Sequence, residues 1–122
     1  MIIDVHAHAI SEDLAREMTR GPWFGLHLEK LADGGFAHPI TGPLPPLFFD
    51  LEARLRGLEE RGVGLQLISP PISIFPEQRP AGGVEQARRL NKHTAKLVEE
   101  SGGLLGGLAF PCLSDPSRIP DE

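Results

Sequence analysis

Two histidines with one residue between them, His6-Ala7-His8, are the side chains whose spacing best suits chemistry. They close a short apolar run, Ile2-Ile3-Asp4-Val5, whose β-branched residues predict a strand buried on both faces. Alternate residues of a strand point the same way, so both imidazoles would face one side, roughly 6–7 Å apart along the chain. Two neutral imidazoles so placed can share one divalent cation, with further ligands supplied from elsewhere in the fold. The plainer alternative is a pair of hydrogen-bonded or surface histidines in the turn after a strand. Asp4 falls on the same face, where it would either orient an imidazole or bond to backbone. Position favours the metal: the end of a buried strand is where parallel α/β folds build their sites.

The elements that must hold the pair follow from pattern. Ser11 is placed to cap a short helix with Leu14 and Met18 on one face. Residues 21–49 form a long connection broken by Gly21-Pro22, Gly34-Gly35, Gly42-Pro43 and Pro45-Pro46, so no long helix crosses it. Its apolar residues, Trp23, Phe24, Phe36 and Phe48 among them, predict a packed loop. Asp50 starts the next helix, with Leu51, Leu55 and Leu58 at i, i+4 and i+7 and Gly62 as its stop. A strand is predicted over 63–69. A third helix places Ala87, Leu90, Asn91, Thr94, Ala95 and Val98 on one face and stops at Gly102-Gly103. Residues 104–110 read as a strand weakened by Gly106 and Gly107. Strands separated by helices imply right-handed crossovers and a parallel α/β sheet.

Composition bounds the partners. The chain has 122 residues, enough for one domain, with 14 Gly and 12 Pro concentrated between regular elements. A formal charge of −5 without any basic stretch argues against nucleic acid or an anionic membrane surface. No apolar run approaches the ~18 residues that span a bilayer. The lone Cys112 favours a reducing, cytoplasmic setting and a small buried role.

Three blocks carry a family resemblance. Ile3-Asp4-Val5-His6-Ala7-His8 resembles the first-strand metal motif of the amidohydrolase superfamily. Asp50-Leu51-Glu52-Ala53-Arg54-Leu55, continuing through Arg61-Gly62-Val63-Gly64-Leu65-Gln66-Leu67-Ile68-Ser69, resembles that family's "D-x-x-x-R-L-x-x-M-D-x-x-G-V-D-x-Q-V-L-S" run. Leu90-Asn91-Lys92-His93-Thr94-Ala95 with Gly107-Leu108-Ala109-Phe110-Pro111 and Ser114-Asp115-Pro116 resembles its "N-D-x-x-A … G-L-A-x-V-P-L-Q-D-P" run. The branch that uses all three is the amidohydrolase-related group that includes 2-amino-3-carboxymuconate-6-semialdehyde decarboxylase.

The resemblance implies a (β/α)₈ barrel with a divalent metal, Zn or alternatively Mn, at its C-terminal mouth. His6 and His8 would be two ligands, while a middle-strand histidine and a last-strand aspartate complete the family's site. Eight strands need ~250 residues, so residues 1–122 are expected to be the N-terminal portion of one barrel domain, about three βα units. The implied activity is hydrolysis or non-oxidative decarboxylation of a small unsaturated or aromatic carboxylic acid, with no catalytic side chain assigned within these residues. The branch's decarboxylase grips a substrate carboxylate with an arginine after the first strand; this sequence has none between Arg20 and Arg54, and His38 lies near that place. Two other functions open with similar features: a metal-dependent phosphoesterase or deoxyribonuclease, and a non-catalytic remnant that binds or oligomerises. An open sheet exposes apolar edges, so a homo-oligomer is expected. Elsewhere, Arg54 is expected to pair with Asp50, Asn91 to cap backbone, and His27 and His93 to be solvated.

Overall fold

The computed structural model describes residues 1–21, 27–71, 83–111 and 117. It is a mixed α/β structure. Strand β1 (Ile2–His8) leads to helix α1 (Glu12–Met18), then three short strands, β2 (Glu29–Lys30), β3 (Phe36–His38) and β4 (Gly42–Pro43). A single 3₁₀ turn (Pro46–Phe48) precedes helix α2 (Leu51–Glu60), strand β5 (Val63–Ser69), helix α3 (Gly83–Glu100) and strand β6 (Leu105–Gly107). The main sheet has strand order β1-β5-β6, all parallel. The three described strands do not close into a barrel.

Local chemistry explains the boundaries. Ser11 Oγ accepts from the Leu14 amide at 3.0 Å, and Asp50 Oδ1 accepts from the Ala53 amide at 2.9 Å, so both helices start where a short oxygen-bearing side chain fills an orphan donor. Gly62 ends α2 with φ +66°, a left-handed backbone that a side chain would strain by roughly 1–2 kcal/mol. Helix α3 buries Ala87, Leu90, Thr94 and Leu97, a stripe slightly rotated from the expected one; Ala95 is exposed. The spacing i, i+3, i+7, i+10 keeps that stripe on one face through three turns.

Two apolar clusters result. One joins α1, the small antiparallel sheet and α3 through Leu14, Met18, Leu28, Phe36 and Leu90, each no more than 1% exposed. The other packs Leu58, Ile68, Leu97 and Leu105 between the parallel sheet and helices α2 and α3. Each such side chain contributes about 1.5–3 kcal/mol by leaving water.

The structure corrects three expectations. First, β1 is not buried on both faces: Ile2 is 56% exposed and Val5 66%. Among the described residues β1 stands at the sheet edge and packs chiefly against β5, which leaves Ile2, Ile3 and Val5 exposed. Second, part of the 21–49 connection is ordered as a meander in which β3 pairs antiparallel with both β2 and β4. Gly34 at φ +89° makes its first turn possible, Phe36 is buried, and its ring meets Phe49 edge-on at 4.9 Å. Third, β6 ends at Gly107 rather than Phe110. A Cβ on Gly107 would lie 3.1 Å from the Thr94 methyl, so glycine lets α3 approach the strand closely. Beyond it Asn91 takes over the backbone: its Oδ1 accepts from the Phe110 amide at 2.7 Å and its Nδ2 donates to the Phe110 carbonyl at 3.1 Å. That is the backbone cap expected of Asn91. Trp23, Phe24 and Cys112 lie outside the described residues.

Candidate metal centre

The pairing of β1 with β5 slips and then recovers. Ile2 faces Val63, Ile3 faces Leu65 and Asp4 faces Gln66, but Ala7 faces Ile68 and His8 faces Ser69. One extra β5 residue near Gly64 is balanced by one extra β1 residue between Asp4 and Ala7. That second irregularity takes in His6, between Asp4 and Ala7, and a bulge there re-aims side chains. Asp4 clasps it: Oδ1 accepts from the His6 amide at 3.1 Å.

The two imidazoles converge. His6 Nε2 and His8 Nε2 are 3.2 Å apart, a hydrogen bond in which one ring donates and the other accepts, with ring centroids at 5.0 Å and planes at 83°; without a cation the two are the hydrogen-bonded pair that the spacing also allowed. His8 Nδ1 lies 3.1 Å from Ser69 Oγ and 3.4 Å from the Ser69 carbonyl. A proton on Nδ1 serves those acceptors and leaves Nε2 with a free lone pair, the tautomer a metal ligand needs. The separation suits a shared cation. With bonds of about 2.1 Å, neighbouring nitrogens on an octahedral ion stand roughly 3.0 Å apart and on a tetrahedral one roughly 3.4 Å.

Behind the pair runs a polar relay that the sequence reading did not find. Gln66, 6% exposed, donates from Nε2 to Asp4 Oδ2 at 2.7 Å and accepts at Oε1 from an Arg54 nitrogen at 2.5 Å. Arg54 also donates to the His8 carbonyl at 2.7 Å and, through Nε, to the Leu47 carbonyl at 2.9 Å. Arg54 therefore makes no side-chain pair with Asp50, whose carboxylate is occupied as the α2 cap. The Gln66 amide, then the His6 amide, hold the Asp4 carboxyl below its ordinary range. Burial lowers the Arg54 pKa, opposed by attraction to Asp4. Of the two roles open to Asp4, it takes the backbone one.

The other described histidines serve elsewhere. His38 Nδ1 accepts from the Ile40 and Thr41 amides, closing the turn after β3. His27 is exposed, with Nε2 2.9 Å from the Thr19 carbonyl. His93 is not solvated as expected: its side chain is only 15% exposed, with Nδ1 2.8 Å from Ser11 Oγ and Nε2 3.5 Å from Glu17. It ties α3 to α1. Among the described residues no group of three or more His, Cys, Asp or Glu side chains converges as a metal cluster. The histidine pair is thus a two-nitrogen set, and its donors fit a borderline divalent ion.

Compared with protein-family models and with curated proteins, the chain matches none. No described helix is long and apolar enough to cross a membrane.

Proposed function

We propose that these residues are the N-terminal portion of a metal-dependent barrel enzyme of the amidohydrolase superfamily. It would hydrolyse or non-oxidatively decarboxylate a small unsaturated or aromatic carboxylic acid. His6 and His8 would supply two ligands to a divalent ion, Zn in preference to Mn, and the remaining ligands would come from outside the described residues. One observation carries this reading: two Nε2 atoms 3.2 Å apart at the C-terminal end of a parallel strand. Such an ion polarises a substrate oxygen and brings water ionisation near neutral pH. This chain's own part is to keep the two Nε2 atoms close together: Ser69 holds the His8 ring and Asp4 holds the His6 backbone.

Two ligands give weak binding. If half the ~10–16 kcal/mol of a four-ligand zinc site is available, the Kd falls roughly between 1 and 200 μM. Calorimetric titration of the 122-residue chain with Zn²⁺ should find one site in that range, lost in the His6→Ala, His8→Ala double variant. Equal binding by that variant would overturn the reading.

The exposure of Ile2 and Val5 favours a second reading, a non-catalytic piece that associates with another copy through β1. It requires substoichiometric metal and a dimer or larger species in light scattering.

A further inference from the structure

One guanidinium joins the anchor points of both histidines. Arg54 projects from the first turn of α2, and its fork reaches three acceptors: the Leu47 carbonyl, Gln66 Oε1 and the His8 carbonyl. The first secures the arginine to the segment before α2. The second starts a relay, Arg54 to Gln66 to Asp4, that ends on the His6 amide. Each link has a fixed polarity: a guanidinium can only donate and a carboxylate can only accept, so the Gln66 amide has one orientation that satisfies both. The third bond holds the peptide after His8 directly. The two histidines thus sit at opposite ends of one hydrogen-bonded chain.

This chain does what the sheet cannot. β1 is an edge strand, and its ladder is interrupted between Asp4 and Ala7, where His6 lies. An interrupted edge has few backbone bonds to keep a register, whereas a chelating pair must be held within about 0.5 Å. The relay also bears on charge: the Asp4 carboxylate offsets the Arg54 guanidinium behind a site meant for a cation.

We propose that Arg54 is the positioning residue of the histidine pair, setting the separation of its two Nε2 atoms through the His8 carbonyl and the Gln66–Asp4 relay. The proposal rests on reading that pair as cation ligands.

The test uses the full 122-residue chain and Zn²⁺ itself. Arg54→Lys keeps the charge but replaces the fork with a compact ammonium that cannot span all three acceptors. Zinc affinity should fall at least tenfold, and the ¹⁵N ring resonances of His6 and His8 in the metal-free protein should shift. Val98→Ala, a truncation in the second apolar cluster at a side chain that makes none of the relay's hydrogen bonds, should lower the melting temperature yet leave affinity within twofold and the rings unmoved. Should Arg54→Lys fail to fold, Gln66→Leu cuts the relay while sparing the His8 bond, with a loss of about threefold expected. A folded Arg54 variant with wild-type affinity and unshifted rings would overturn the proposal, as would an equal loss in Val98→Ala. If the wild-type chain binds no zinc, the metal reading fails separately, and the ring resonances alone decide: shifted rings uphold Arg54's hold on the pair, unshifted rings refute it.

Discussion

Asn91 offers the sharpest test of how the segment after β6 is held. Its amide pairs with both backbone groups of Phe110, a residue 5% exposed, so deletion of the side chain removes two hydrogen bonds where water has little access. At about 0.5–1.5 kcal/mol for each hydrogen bond lost, Asn91→Ala should cost about 1–3 kcal/mol. Asn91→Asp separates the two bonds. An aspartate still accepts from the Phe110 amide, but at neutral pH its second oxygen faces the carbonyl that Nδ2 now serves at 3.1 Å. Both partners are then acceptors. The folded protein favours the protonated acid, which restores the donor, so the folded-state pKa of the new carboxyl rises above the ~3.9 of the unfolded chain. A raised folded pKa gives stability that is complete below the unfolded value and is lost as pH rises through the folded one. Relative to wild type, the Asp variant should therefore be about 1–3 kcal/mol less stable at pH 7, with most of the deficit gone by pH 4. Urea unfolding followed by far-UV circular dichroism measures both proteins at each pH, and the difference removes titrations they share. A deficit that stays constant with pH, or none at pH 7, would show that the Asn91 clamp is not what holds Phe110.

Three further outcomes follow from burial and exposure. Burial lowers the His93 pKa in the folded state below its ordinary 6.5, against the attraction of Glu17 and Asp13 and with the repulsion of Arg89 and Lys96. The unfolded chain then binds the extra proton first, so stability declines as pH drops below about 6.5 and the decline ends beneath the folded pKa; His93→Gln should flatten that slope in a pH series of urea midpoints. Leu14→Ala, in a side chain with no exposure, should cost about 2–5 kcal/mol, whereas Val5→Thr on the exposed edge should change stability by no more than about 0.5 kcal/mol. A large loss in Val5→Thr would mean that β1 is covered in solution, and sedimentation would identify the covering copy.

Much of the fold was legible because its signals are local. Ser11 and Asp50 cap the helices they were expected to cap, Gly62 ends α2, and β5 occupies 63–69. The errors are those of tertiary context. A run such as Ile2-Ile3-Asp4-Val5 carries the same β-propensity in a central strand as at an edge, so burial cannot be read from it; only the strand order places β1 at the margin. The meander of 29–43 was hidden for a related reason. Its strands are two or three residues long, too short for an alternation, and the turn at Gly34 and the burial of Phe36 define it instead.

The candidate site divides along the same line. His6 and His8 are two residues apart, so strand geometry puts both rings on one side, but it does not set how close they come. Arg54 and Gln66 stand 46 and 62 positions from the groups they bind near that pair, beyond the reach of any periodic pattern. One signal was nevertheless present. Gln66 is the single amide in Val63-Gly64-Leu65-Gln66-Leu67-Ile68-Ser69, and an amide buried in such a strand must find a donor and an acceptor. A parallel neighbour bearing Asp4 and a helix bearing Arg54 supply them from opposite sides. The polar residue that looks out of place in an apolar strand is thus the one that connects the edge carrying the histidines to the helix that steadies them.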